Sequence, residues 1–403
     1  MRNILKSLFL LIALAVFSSA KGQDRDQFLS YQLCLSGFEN VNVLSQENSL
    51  LVALENHVYR WDVEAIAVAL DTLVAHSEKP TEISLYLLNH GVPQIQIQLP
   101  AAKWLLYRKG EFPQTAMEGG LQVTYLIDKN YALLKDKNSR NTNLNKIDFV
   151  LYPQLALQNT GFNQIYETQV NLAPAMEVDL WKGMQFTGQV IFPLINDFGP
   201  EGDKVRPGIV SLAQNFRMGQ SFFARVVAGH FNANRYGVDA TVFRPLFKNR
   251  VELEANLGLT GSSHFYDDSW IRSSIDQLTW FVKTRYYDSK YNLQAALSYG
   301  KYINGDCGLR ADLSRHFGPV SIGFFAMYSG GESNGGFHFD IPLMFKKRKR
   351  KRNVRVIPAP YFDWEYNAGT EFEKGRYYET RPNANRTENN YNPIYIKSQL
   401  LEL

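Results

Sequence analysis

Only two of the 403 residues are cysteine. Cys34 and Cys307 are too few for a disulfide scaffold and lie far apart in the chain, so two buried free thiols are expected rather than a bridge. Histidine is scarce too, with seven copies. His230, His264, His316 and His338 have no metal-ligand spacing and read as ordinary strand and loop residues, so neither a metal nor a cofactor is expected. Beyond the N-terminus no apolar run is long enough for a transmembrane helix. A large charge of one sign is missing as well. The formal net charge is +4, and the run Lys346, Lys347, Arg348, Lys349, Arg350, Lys351, Arg352 supplies seven positive charges, so the remainder sums to 4 − 7 = −3. A near-neutral chain with one basic patch is not a nucleic-acid binder. Catalytic signatures are absent: no Gly-x-Ser-x-Gly, no His-Glu-x-x-His, no Walker loop and no Cys-x-x-Cys. A Ser-His pair in a barrel wall, using His230 or His338, has no support in local spacing, so the chain does not read as an enzyme.

The N-terminus carries a Sec signal pattern over residues 1–23. Arg2 and Lys6 form the charged region, Leu8 to Phe17 the apolar one, and Ser18-Ser19-Ala20 the small residues for cleavage, with Gln23 a second end. The apolar run is short for a membrane anchor. No cysteine follows the cleavage region, which argues against a lipoprotein. Residues 24–110 read as a small α/β domain. Short strands are expected over Asn40–Val43, Ser49–Glu55, Glu82–Leu88 and Gln94–Leu99, with a turn at Asn89-His90-Gly91. Val63, Ile66, Ala67, Leu70, Leu73 and Val74 recur at helical spacing behind Asp62, a fair N-cap. Such a domain is either a periplasmic docking module or a plain cap. Residues 111–146 read as a polar linker with one strand near Leu121–Ile127.

From 147 to 369 the period changes to two. Val251, Leu253, Ala255, Leu257 and Leu259 interleave with Glu252, Glu254, Asn256 and Gly258. Leu309, Ala311 and Leu313 interleave with Arg310 and Asp312. After the turn at Phe317-Gly318-Pro319 the row resumes as Val320, Ile322, Phe324, Ala326 and Tyr328. Aromatics such as Tyr291, Tyr299, Phe337 and Phe345 end the apolar rows, as in a headgroup girdle. Alternation in segments of roughly ten residues, split by turns, is the signature of an outer-membrane antiparallel β-barrel of about 12–14 strands. A soluble sandwich also alternates, but its crossings break the hairpin order seen here. Asn196–Arg206 and Tyr266–Ser274 read as longer loops. Val354, Val356 and Pro358 to Trp364 read as a last, proline-interrupted strand. Residues 370–403 read as a loose polar tail.

In a closed barrel Arg310, Asp312, Asp340, Glu252, Glu254, Arg285 and Lys283 point into the lumen. Mixed charges there either pair and fill a small barrel or line a wet path for a sugar chain. The basic run reads as a contact for lipid headgroups or an acidic polymer, or as a solvated turn.

Four stretches resemble the YjbH-like family, also called GfcD-like: "RPGIVSLAQNF" (Arg206 to Phe216), "FFARVVAGHFNANRYGVDATVFRPLF" (Phe222 to Phe247), "YGKYINGDCGLRADLSRHFGPVSIGFFA" (Tyr299 to Ala326) and "GGFHFDIPL" (Gly335 to Leu343). The resemblance implies an outer-membrane barrel acting in exopolysaccharide or capsule assembly or export, with periplasmic or lipoprotein partners. It carries no catalytic residue onto this chain. Two other readings stay open. One is a structural barrel of a secretion or motility machine. The other is a membrane-embedded polymer-modifying hydrolase.

Overall fold

The computed structural model describes residues 24–76, 82–135, 139–159, 166–219, 221–266, 269–369, 374–383 and 391–403. The expected signal segment lies outside the described residues.

The N-terminal region opens on helix α1 (24–36). It continues with β1 (Glu39–Ser45), β2 (Ser49–Glu55), α2 (Asp62–Ala75), β3 (Glu82–Asn89), β4 (Val92–Pro100), α3 (Ala101–Arg108), α4 (Gln114–Gly120), β5 (Gln122–Thr124) and the short α5 (Ala132–Lys135). Strands β1 to β5 form one sheet in sequence order. β2 and β3 are parallel, and α2 is their crossover. Its expected apolar stripe is buried throughout. Asp62 is not the cap: it is the first helical residue, Trp61 precedes it without a side-chain cap, and the Asp62 carboxylate accepts a bond from Asn56. The β3–β4 hairpin turns at His90 and Gly91, both with positive φ. The expected linker differs too. β5 pairs with β4, and Met117, Leu121 and Leu134 are buried, so residues 111–135 complete this unit.

The rest is one large sheet. Its strands are β6 (Ile147–Asn159), β7 (Tyr166–Trp181), β8 (Met184–Asn196), β9 (Arg206–Met218), β10 (Phe222–Phe231), β11 (Arg235–Leu246) and β12 (Val251–Tyr266). Then come β13 (Ser269–Arg272), β14 (Gln277–Asp288), β15 (Leu293–Lys301), β16 (Cys307–Phe317), β17 (Val320–Ser329), β18 (Glu332–Pro342), β19 (Val354–Pro358) and β20 (Tyr361–Asn367). Among the described residues the sheet has fifteen strands, more than the expected count, with β13 off the main path as a short partner of β12. From β6 to β18 each neighbour on the main path is a hairpin partner.

The proline-interrupted strand has an unexpected place. β19 lies parallel on β6, at one edge of the sheet, and β20 lies antiparallel on β18, at the other. Only Ala359-Pro360 separates them. The Ala359 N–H donates to the Leu151 carbonyl at 3.0 Å, and the Leu343 N–H donates to the Pro360 carbonyl at 3.1 Å. Proline lacks a donor, so the strand changes partner where its ladder is weakest. The sheet therefore curls until both edges meet on one strand. The ladder does not close there, because β20 and β6 share no backbone register.

The curled sheet is inverted relative to a water-soluble protein. Along β17 the outward residues Ile322, Phe324, Ala326 and Tyr328 are exposed, with Phe324 at 66 %. Ser321 and Ser329, between and beyond them, are buried, with Ser329 at 1 %. Along β12 Leu257 is 54 % exposed and Glu252 is 5 %. Cys307, expected to be a buried thiol, is exposed on the outer face, and Cys34 is half-buried in α1. No helix of the described residues is long and apolar enough to cross a membrane.

Candidate functional site

The inner face of the curled sheet collects the charges that alternation placed there. Arg285 on β14 reaches Glu252 at 3.2 Å and Glu254 at 2.9 Å on β12. Arg310 on β16 grips Asp312 at 2.8 Å and Glu365 on β20 at 2.7 Å, and its guanidinium lies 4.1 Å from the Phe325 ring centroid. Asp340 on β18 accepts from Ser321. Lys283 sits 5.3 Å from the Phe281 ring and lines the same cavity as Arg285 and Arg310. The structure thus brings six of the candidates into two ion-pair groups and one shared cavity, and leaves Asp340 apart. Arginine suits this work because its planar fork serves two carboxylates at once. The pairs are wall to wall, so the charges stiffen the curl more than they offer themselves to a ligand.

Sequence reasoning missed Glu365, and it missed the tail. Residues 374–383 run inside the curled sheet. Gly375 donates to Asp306 at 2.8 Å, at the end of the sheet where β15 turns into β16. Tyr378 donates to Asp239 at 2.8 Å and stacks on Phe231, with centroids 5.3 Å apart. Asn232, in the β10–β11 turn at that same end, donates to Glu379 at 2.9 Å, and Asn383 donates to the carbonyl of Tyr361, the first residue of β20, at 3.2 Å. Two cavities remain beside this segment, of about 290 Å³ and 350 Å³.

The tail ends in helix α6 (Pro393–Leu400), capped by the Asn392 side chain, which accepts from Ile394 and Tyr395. Asn392 also donates to Glu252 at 2.6 Å, and Tyr125 of the N-terminal unit donates to the same carboxylate at 2.8 Å. Tyr395, Ile396, Leu400 and Leu401 are buried in the core of the N-terminal unit. The tail read as loose is therefore packed at both described pieces.

The N-terminal unit caps the end of the curled sheet where α6 emerges. Arg217 donates to the backbone carbonyls of Pro93 and Gln94, and Tyr125 packs on Phe223 and Phe243. A polar junction holds the cap to β7. Glu55 lies 3.0 Å from His57, His90 lies 2.7 Å from Asp179, and Asn143 donates to Asp179. Burial opposes the His57 charge, but the Glu55 carboxylate and its hydrogen bond hold His57 up at about 9. Burial likewise opposes the Glu55 charge, yet His57, His90 and the Gly91 N–H bring it down to about 2. Glu55, His57 and Asp179 are close enough to share a metal ion. Glu55 is already bonded by the backbone N–H groups of His90 and Gly91 and by Asn40, so the cluster reads as a satisfied ion-pair junction.

The basic run sits at this same end, and part of it faces inward. Arg350 is buried between Glu39 at 3.0 Å and Asp148 at 2.7 Å. The Arg348 N–H donates to the Val58 carbonyl, and burial lowers the pKa of its guanidinium to about 10. Arg348 and Arg350 therefore belong to the cap interface and not to a lipid or polymer contact. Lys346, Lys347, Lys349, Lys351 and Arg352 remain exposed. No sequence pattern separates the two inward arginines from their neighbours. For Arg350, acidic partners 200 or more residues away, Glu39 and Asp148, decide it.

The fold and site define a large inverted sheet, curled around its own tail and capped by an α/β unit. The model of the YjbH family, described as exopolysaccharide biosynthesis protein YbjH, matches residues 16–357. The chain belongs to this family. Among curated proteins none matches it. Two solved structures of OmpT, an outer membrane protein of Vibrio cholerae, are similar in part. The loop L8 deletion mutant is 8 % identical over 48 % of this chain and 86 % of its own, with a TM-score of 0.26. The in-vitro folded form is 9 % identical over 48 % and 80 %, with a TM-score of 0.25. At such scores the likeness adds nothing to the fold described above.

Proposed function

We propose that this protein is an outer-membrane β-barrel that takes part in exopolysaccharide or capsule assembly or export, as a passive conduit or scaffold and not as an enzyme. The observation that carries the membrane reading is the inverted sheet, with Leu257 and Phe324 outward and exposed while Glu252 and Ser329 are inward and buried. An apolar outer surface around a polar interior is stable in hydrocarbon and unfavourable in water. Membership of the exopolysaccharide family supports the biological role. The chain would be exported by the Sec route, and its N-terminal cap would lie in the periplasm. The partners are then outer-membrane lipid, a polysaccharide chain, and periplasmic or lipoprotein components of the same system.

The luminal tail favours a scaffold or a closed conduit over an open pore. The two cavities beside it, of about 290 Å³ and 350 Å³, lie near the low end of the range of about 300–1,000 Å³ usual for small-ligand sites. The test is polysaccharide location in a strain lacking the protein. Loss from surface and medium with accumulation in the periplasm supports an export role. Unchanged amounts in every compartment refute it and leave the secretion or motility scaffold. Altered polymer chemistry at normal amount would point to a hydrolase instead.

A further inference from the structure

The tail threads the space a polymer would need. Its described residues cross the interior from strand to strand: Gly375 at Asp306 beyond β15, Tyr378 at Asp239 on β11 and Thr279 on β14, Thr380 at Ser211 on β9, and Asn383 at Tyr361 on β20. The wall is shaped for it. Gly258 faces inward on β12, and a Cβ there would overlap the Tyr378 hydroxyl. Phe231, fully buried, is the ring on which Tyr378 stacks. Beyond the lumen α6 is held by apolar burial, with Ile396 and Leu400 inside the cap's core.

We propose that residues 374–383 form a removable plug, and that α6 is its latch on the cap, so that a polymer crosses only when the tail has left the lumen. This rests on the barrel reading above and names its regulation. Two features favour a gate over a permanent filling. The plug is tied to the wall at separate points, by three hydrogen bonds between Asn232 and Glu379, one from the Ile303 N–H to the Arg376 carbonyl, those of Gly375, Tyr378, Thr380 and Asn383, and one ring stack, with no strand ladder among its described residues. The latch lies in a different unit from the plug, so a change in the cap's core acts directly on the tail.

The test uses the full mature chain in planar lipid bilayers, with potassium ions as the probe. Ile396→Asp places a charge in the cap core and releases the latch. Gly258→Leu fills the Tyr378 site and leaves the cap and α6 untouched. Wild type is expected to be nearly silent. Loss of a buried Ile shifts the closed-to-open ratio by about 100-fold, and both variants are expected to conduct steadily. Maltohexaose in liposome swelling should then enter through the variants only. Variants that insert, shown by a protease-protected folded band, yet stay as silent as wild type overturn the plug and leave the barrel reading intact. Steady conductance of wild type also overturns the plug. Failure of wild type to insert at all sinks the barrel reading and the plug with it. Gly258→Leu keeps the test decisive if Ile396→Asp blocks insertion.

Discussion

Arginine in place of Leu257 asks which solvent the outer face meets. Leu257 lies midway along β12, paired with Ala240 on β11 and Trp280 on β14, and is 54 % exposed. If the face meets hydrocarbon, an arginine at mid-depth costs about 2–4 kcal/mol. At 1.4 kcal/mol per tenfold, that is a drop of about 30- to 700-fold in the folding equilibrium. If the face meets water, removing an exposed leucine changes stability by no more than about 0.5 kcal/mol. The two solvents thus differ in magnitude by enough to measure. The assay is urea-dependent folding into phosphatidylcholine vesicles, read by the gel shift between folded and unfolded bands. Phe247 is the control: it sits in the turn between β11 and β12 and is 75 % exposed. Arginine there should cost about 0–1 kcal/mol, the value near an interface. Equal effects at Leu257 and Phe247, both near zero, would refute the lipid-facing assignment.

Other changes test the interior and the cap. Arg310→Ala strands Asp312 and Glu365 and should cost about 3–5 kcal/mol in urea unfolding, partly restored by adding Glu365→Ala. The cap junction should depend on pH on both sides. Glu55, lowered to about 2, gives stability that is present above its ordinary value of 4.5 and fades as pH falls towards 2. His57, raised to about 9, gives stability that is present below its ordinary value of 6.5 and fades as pH rises through 9. The melting temperature of the cap should therefore be higher at pH 5.5 than at pH 9.5 by an amount that Glu55→Gln removes; equal alkaline loss in that variant would contradict the assignment. Arg350→Glu sets three carboxylates together at Glu39 and Asp148, and should free the cap to protease at sites wild type protects.

The strands were legible because their signal is local. A period of two with charges on one face survives in β12, β16 and β17, and the structure places those rows as expected. The α2 stripe was legible for the same reason. Less local features were not. That Arg310 pairs with Glu365 depends on β20 closing against β18, some 55 residues on. The junction of Glu55, His57, His90 and Asp179 joins two separate units, and nothing near any of these residues announces it. The tail is the instructive case. Asn392-Pro393 is a legible helix start, a capping side chain followed by proline at the first helical position. The surrounding Asn, Arg and Tyr content reads as solvated, and only the polar lumen makes that composition suitable for burial.

Spin labels placed one at a time along Ser321 to Tyr328, in a background with Cys34 and Cys307 replaced by serine, test the inverted face most directly. The protein is folded into lipid vesicles, and label accessibility is read against oxygen, which partitions into lipid, and against a water-soluble nickel chelate. The expected result is a period of two: labels at Ile322, Phe324 and Ala326 meet oxygen, while those at Ser321, Gly323 and Phe325 are shielded from it. Nickel access at Ile322, Phe324 and Ala326, equal to that of a label in an exposed turn, would contradict the account.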